Sequence, residues 1–254
     1  MSQINRVSRR IILILLTIVA VVIVFPSHPL LNSEFLRGGE VSDEVLVSEK
    51  VLVSEKAASE VNKEVQVAVI IGSLREESFS RMLAEELKEL APEKMNLVIV
   101  EIGDLPFYNP DIDGKHTPKA WIEFRAQLDD SDALLFVTPE YNRSIPAVVK
   151  NAIDVGSRPH QKGPLAKKPG AVISLTTGRL GGFGANHHLR QSLVVVNVPV
   201  MQQPEAYVSH VADLFDDEGN LVDERTRRFM TQFLSSFEIW IERNSERENE
   251  RRTQ

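Results

Sequence analysis

From Val65 onward the chain alternates short, predominantly apolar runs with segments whose apolar residues recur at helical spacing, five times in succession. The runs are Val65–Ile71, Leu97–Ile102, Ala133–Thr138, Ala171–Thr176 and Val198–Met201. Predominantly apolar runs of this length read as strands buried on both faces, the pattern of a parallel sheet. Between them, Phe79, Met82, Leu83, Leu87 and Leu90 mark one helix within Ser78 to Leu90. Thr117-Pro118 is the expected start of a second, running through Trp121, Phe124 and Leu128. A third spans Ala147 to Val155 and a fourth Ala185 to Val196. The last runs from about Asp223 to Arg243 through Met230, Phe233, Leu234, Phe237 and Trp240. Pro199 suits an edge strand, where its missing N–H costs no ladder bond. Strict β–α alternation implies an α/β domain with helices on both faces of the sheet. Right-handed crossovers leave a doubly wound arrangement as the simplest topology. Its ligand site lies at the carboxyl ends of the strands, where strand order reverses.

Two segments precede this domain. Residues 1–31 open with Arg6, Arg9 and Arg10 and continue as an apolar run, 11–25, interrupted only by Thr17. The run is short for a membrane span, which needs ~20 residues, and it also suits a signal-peptide core. Pro26-Ser27-His28-Pro29 follows in place of a small-x-small cleavage site, which favours an uncleaved signal anchor over a cleaved signal. Residues 32–64 form a linker with a tandem hexapeptide, Val45–Lys50 and Val51–Lys56. Two copies fall below the ~3 repeats that a solenoid needs, so the duplication reads as a spacer. The domain proper is assigned to residues 65–243, with a charged tail over 244–254.

The loop after the first strand, Gly72 to Ser80, joins a buried strand to a helix N-terminus. Unpaired N–H groups and the helix dipole favour a phosphate there. Ser73, Ser78 and Ser80 supply hydroxyl donors, and Arg75 supplies a guanidinium. The loop has neither the Lys of the Walker sequence nor G-x-G-x-x-G, which disfavours a triphosphate or a dinucleotide and favours a phosphomonoester. Ser78 read alone is equally well a helix cap. The loop after the third strand, Thr138 to Pro146, carries Pro139, Glu140, Tyr141 and Asn142: two prolines for stiffness, an aromatic wall, and an amide that both donates and accepts. A Pro-bounded turn with a surface Tyr is the plain alternative.

Taken together, Gly72-Ser73-Leu74-Arg75 with Ser78-Phe79, and Pro139-Glu140-Tyr141-Asn142 with Ser144, Pro146 and Lys150-Asn151-Ala152-Ile153-Asp154, closely resemble the NADPH-dependent FMN reductase family, which includes chromate and quinone reductases and azoreductases. The resemblance covers about Val65 to Val208. It implies a flavodoxin-like five-stranded sheet and a bound FMN, with NADPH or NADH as electron donor. By resemblance, Ser73, Arg75, Ser78 and Ser80 hold the FMN phosphate, although family members usually carry Asn where this chain has Ser80. Pro139, Glu140, Tyr141 and Asn142 border the ribityl chain and ring. Ser174 and the glycine-rich loop, with Thr176, Gly178, Gly181 and Gly182, line the site beside the flavin. Residues 150–154 are expected to pack or to join a subunit contact. The implied reaction passes electrons from NAD(P)H through flavin to a small-molecule acceptor: a quinone, an azo dye, a metal oxyanion or free flavin. A homodimer or homotetramer is implied as well. Arg179 has two readings of equal weight, a contact to a nicotinamide-nucleotide phosphate and a surface charge.

Composition narrows the alternatives. A net charge of -7 and a pI of about 5.5 lack the basic footprint of a nucleic-acid binder. With no Cys, a thiol nucleophile, disulfides and Cys-based zinc sites are excluded. His187 and His188 are adjacent on a helix and point in different directions, so surface or interface histidines are expected rather than metal ligands. An esterase built on Ser73 or Ser144 is disfavoured, because neither lies in G-x-S-x-G. A non-enzymatic flavodoxin-type electron carrier remains as the rival reading. Location is in tension with function. The basic start favours a cytoplasmic amino terminus, and a single span would then place the domain away from the NAD(P)H pool; without insertion the protein is cytoplasmic.

Overall fold

The computed structural model describes residues 64–160 and 162–252. The anchor expected at 11–25 and the linker repeat fall outside them. Among the described residues no helix is long and apolar enough to cross a membrane.

Five parallel strands form one sheet: β1 (Val65–Ile71), β2 (Met95–Val100), β3 (Ala133–Pro139), β4 (Gly170–Leu175) and β5 (Ala206–Val208), in the order β2-β1-β3-β4-β5. This is the flavodoxin-like order, and strand order reverses between β1 and β3. The helices are α1 (Phe79–Leu90), α2 (Lys119–Asp129), α3 (Ala147–Gly156), α4 (Phe183–Val195) and α5 (Glu224–Arg252). Successive side chains along a strand face opposite sides of a sheet, and the core divides accordingly. Val67, Val69, Leu135, Val137 and Ile173 pack in one layer with Leu83 and Leu87 of α1 and Phe233 and Phe237 of α5. Ala68, Ile70, Leu134, Phe136 and Val172 pack in the other with Trp121 and Phe124 of α2, Val149 of α3 and Leu189 of α4. Each large side chain buried in these layers contributes about 1.5–3 kcal/mol relative to exposure. The central strands are therefore rigid, and the loops at their carboxyl ends are mounted on a fixed frame.

Four boundaries differ from those expected. β2 begins at Met95, which pairs with Val65, and its ladder ends at Val100 opposite Ile70, leaving Glu101 and Ile102 outside. Thr117 does not cap α2: its Oγ1 accepts from Gly114 N and donates to Gly114 O, and Pro118 precedes the helix without a side-chain cap. The fifth strand lies at Ala206–Val208 rather than Val198–Met201. Around Val200 the chain makes a single bridge to Gly170, with Gly170 N donating to Pro199 O and Met201 N to Gly170 O. It then leaves the sheet, returning at Ala206 beside Ile173. α5 continues to Arg252, through the segment expected as a tail.

Candidate active site

β1 ends against β3, where Gly72 N donates to Val137 O at 2.8 Å. A methyl on Gly72 would overlap Thr138, whose Cβ would lie 2.8 Å away, so only glycine lets the chain turn off the strand here. Ser78 then caps α1: its Oγ accepts from Arg81 N at 3.3 Å. Ser73 Oγ accepts from Arg75 N at 3.4 Å. Each hydroxyl takes a backbone N–H on an oxygen lone pair and keeps its own O–H to donate outward. Ser80 is different. It is 1% exposed, and its Oγ is the buried side-chain polar atom left without a partner among the described residues. A buried hydroxyl in that state calls for an explanation, and its position supplies one. Ser73, Arg75, Ser78 and Ser80 line one wall of a cavity at the carboxyl ends of β1, β3 and β4. Of the N–H groups in the first turn of α1, those of Arg81 and Met82 are taken by Ser78 O.

Pro139, Glu140 and Tyr141 form a second wall. Tyr141 and Ser144 exchange both backbone hydrogen bonds, Tyr141 N to Ser144 O at 2.9 Å and Ser144 N to Tyr141 O at 3.0 Å. The two residues between them have positive φ, 51° at Asn142 and 67° at Arg143. This is a two-residue turn of the I′ kind. Asn142 adopts the left-handed region readily, so the turn explains it; its side chain is not on the cavity wall. Glu140 reaches out of the loop altogether. Its Oε2 accepts from Gly184 N at 2.7 Å and from Ala185 N at 3.2 Å, in the first turn of α4, and its Oε1 meets Arg143 Nη1 at 3.3 Å.

The third wall comes from Leu175, Thr176 and Thr177. Thr176 Oγ1 also accepts from Gly178 N at 3.3 Å, which shapes the exit from β4. Ser174, Gly181 and Gly182 lie behind this wall. Ser174 is fully buried, donates to Gly181 O at 2.7 Å and accepts from Asn186 Nδ2 at 3.1 Å. Gly181 and Gly182 have φ of 58° and 73°; side chains there would strike Tyr207 and Ser174 respectively. These three residues support the loop without facing the cavity.

The family profile of NADPH-dependent FMN reductases matches residues 65–213. The chain belongs to this family. A quinone reductase from Pseudomonas putida is 54% identical over 178 residues, covering 70% of this chain and 95% of that protein. A 2-hydroxy-1,4-benzoquinone reductase from a Burkholderia species is 41% identical, covering 70% of this chain and 96% of that protein. The solved structure of FerB, a flavoenzyme NAD(P)H:(acceptor) oxidoreductase from Paracoccus denitrificans, superposes with a TM-score of 0.66 at 37% identity, covering 71% of this chain and 98% of that one.

As a member of the FMN reductase family the protein is an oxidoreductase that uses FMN and a reduced nicotinamide nucleotide. The residues present fit that cofactor. A phosphomonoester needs donors at one end of the site, and the unpartnered Ser80 Oγ, with Ser73 and Ser78, lies at the N-terminus of α1. A flat ring needs firm, partly apolar walls, which Pro139, Tyr141 and Leu175 provide. The cavity holds about 510 Å³ counting its open mouth. Sequence reasoning missed Phe79, Leu175 and Val211, which also line it. Phe79 could have been suspected from its place inside the first motif. Val211 follows β5 in a short 3-10 helix and carried no motif.

The two histidines are engaged in the structure. His188 Nδ1 lies 2.9 Å from Ser144 Oγ, tying α4 to the flavin-loop turn. His187 Nε2 lies 3.2 Å from the Tyr207 hydroxyl, and its ring packs at 4.2 Å on Phe183. Burial first, and Glu205 second, push the Tyr207 phenol up to about 12, so it stays protonated at neutral pH. Asn151 on α3 clamps the loop after β2: its Oδ1 accepts from Tyr108 N at 2.8 Å, and its Nδ2 donates to Leu105 O at 3.0 Å and Pro106 O at 3.1 Å.

Proposed function

We propose that this protein is an FMN-dependent NAD(P)H oxidoreductase whose acceptors are quinones. The observation that carries the reading is the buried, unpartnered Ser80 hydroxyl on the wall of a cavity at the β1/β3 switch point. Relatives named as quinone reductases, one of them 54% identical, support the acceptor.

In this reading Ser73 and Ser78 donate to the FMN phosphate through the O–H groups left free by their backbone contacts, and Ser80 donates its otherwise unpartnered hydroxyl. Arg75, which makes no ion pair among the described residues, adds a guanidinium. Pro139, Tyr141, Thr176 and Thr177 border the rest of the cofactor, while Glu140, Asn142, Ser174, Gly178, Gly181 and Gly182 shape the loops that carry them. Bound FMN supplies two-electron redox chemistry, so no nucleophilic or acid–base side chain has to be found. The protein binds, orients and shields: Phe79, Leu175 and Val211 provide apolar surface that limits water at the cavity wall. Ser144 and His188 do pair, but among the described residues no carboxylate is hydrogen-bonded to the other ring nitrogen, so a hydrolase reading gains nothing from them.

Steady-state oxidation of NADH and NADPH by the FMN-loaded protein, with and without a benzoquinone, tests the proposal. Quinone-dependent turnover is expected. FMN bound tightly with no turnover would make the protein an electron carrier instead. The proposal includes a homodimer or homotetramer, measured by light scattering, and Val194 and Val195, 72% and 63% exposed at the end of α4, are available for such a contact. It also includes tethering through the apolar run at 11–25. Fractionation separates that outcome from a free cytoplasmic domain.

A further inference from the structure

The helix α4 begins without a local cap. Its N-cap residue is Gly182, which has no side chain, and Phe183 N is taken by Leu180 O. The next two N–H groups, on Gly184 and Ala185, belong to the set that every helix leaves open at its start. Both are taken by one oxygen from a distant loop, Oε2 of Glu140, at 2.7 and 3.2 Å. Gly184 makes the approach possible: a methyl there would lie 2.7 Å from Arg143 O and 3.0 Å from Glu140 Oε2. The Glu140 side chain is only 11% exposed, and its other oxygen meets Arg143, which is 74% exposed. The carboxylate is thus occupied by protein donors, and its negative charge is unsuited to touching a phosphate.

The loop needs holding. Its tip places two residues with side chains, Asn142 and Arg143, in the left-handed region that favours glycine. Besides the Glu140 bonds, the Ser144–His188 contact, on the next turn of α4, ties the tip down. The structure assigns Glu140 as a positioning residue: by capping the first turn of α4 its carboxylate locks the loop from Pro139 to Pro146 in the shape that completes the cavity. This assignment rests on the FMN reading, and it makes the carboxylate of Glu140, a residue that also lines the cavity, act on the cofactor through α4.

Glu140→Gln separates the two possibilities. The amide oxygen of Gln still accepts from both N–H groups, while the charge is lost. Glu140→Ala removes the cap. FMN affinity of the stripped protein, followed by quenching of flavin fluorescence, should fall about tenfold or more for Glu140→Ala and stay within about threefold for Glu140→Gln. Amide exchange at Gly184 and Ala185, read without FMN, should be slow in the wild type and in Glu140→Gln and fast in Glu140→Ala. Wild-type affinity in Glu140→Ala overturns the assignment. So does a Gln variant that loses as much affinity as Ala while both amides stay protected, since that pattern means direct contact with the cofactor. A wild-type protein that binds no FMN defeats the flavin reading, and the exchange data then decide the cap alone. Should Glu140→Ala fail to fold, Glu140→Asp decides: the shorter carboxylate cannot reach both amides, so unchanged affinity and exchange refute the role.

Discussion

At the scale of single residues, Ser80 carries a conflict between stability and binding. Leaving a buried hydroxyl unsatisfied costs about 1–3 kcal/mol, and the Ser80 Oγ is left so by the protein's own groups. Ser80→Ala should therefore raise the stability of the FMN-free protein by about 1 kcal/mol, and lower FMN affinity roughly tenfold by removing a donor to a charged acceptor. Thermal melts with and without FMN test both signs at once; a variant that melts lower in both states would show that Ser80 serves packing alone. Ser80 and its neighbours were legible in the sequence because the reasoning is local: strand, turn, helix start, hydroxyls. Glu140 was expected to border the flavin, and its hydrogen bonds to the start of α4 were not foreseen. Its partners lie 44 and 45 residues away, and no local pattern links them. Ser174, expected beside the flavin, is buried and bonded to Gly181 O and Asn186 Nδ2, on the opposite face of β4 from Leu175, which lines the cavity.

At the scale of elements, the loop between β2 and α2, whose regular structure is one short 3-10 helix at Pro110–Ile112, shows how a long connection is fixed by side chains. Asp113 accepts from Arg125 Nη1 and Nη2, both at 2.8 Å, in a two-pronged pair whose side chains are 16% and 18% exposed. Arg125 Nε donates to Val155 O at 2.9 Å, so one guanidinium joins this loop, α2 and α3. The hydrogen bonds from Arg125, opposed by burial and aided by the Arg125 charge, hold the Asp113 carboxyl below the ordinary aspartate range. A carboxyl whose folded pKa lies below its unfolded value stabilises the fold above the unfolded value, ~3.9. That contribution is lost as pH falls from there through the folded value. Asp113→Asn should lower Tm at neutral pH and flatten its decline below about pH 4. Parallel acid limbs for the variant and the wild type would assign the slope to other carboxylates. No sequence pattern announced this pair. The misplaced fifth strand has a related cause: the Val- and Pro-containing run at 198–201 has strand composition, but only one bridge forms there before the ladder resumes at Ala206.

At the scale of the whole molecule, alternation alone pointed to a doubly wound parallel sheet, because parallel strands joined by helices admit few arrangements, and the flavodoxin-like form came from the family resemblance. The cavity lies at the carboxyl end of β1, and every residue on its wall falls between Ser73 and Val211. The match to the Pseudomonas putida quinone reductase covers 70% of this chain and 95% of that protein. A chain beginning at Glu64 should consequently fold, bind FMN within about twofold of the full-length affinity, and turn over NAD(P)H and quinone at the same rate. It should differ from the full chain in one respect, its distribution on fractionation. With 11–25 present the protein should sediment with membranes and resist extraction by salt; without residues 1–63 it should stay in solution. A full-length protein recovered wholly in the soluble fraction removes the anchor. A truncated protein that loses FMN would instead place part of the site in the extension, beyond the cavity wall that runs from Ser73 to Val211.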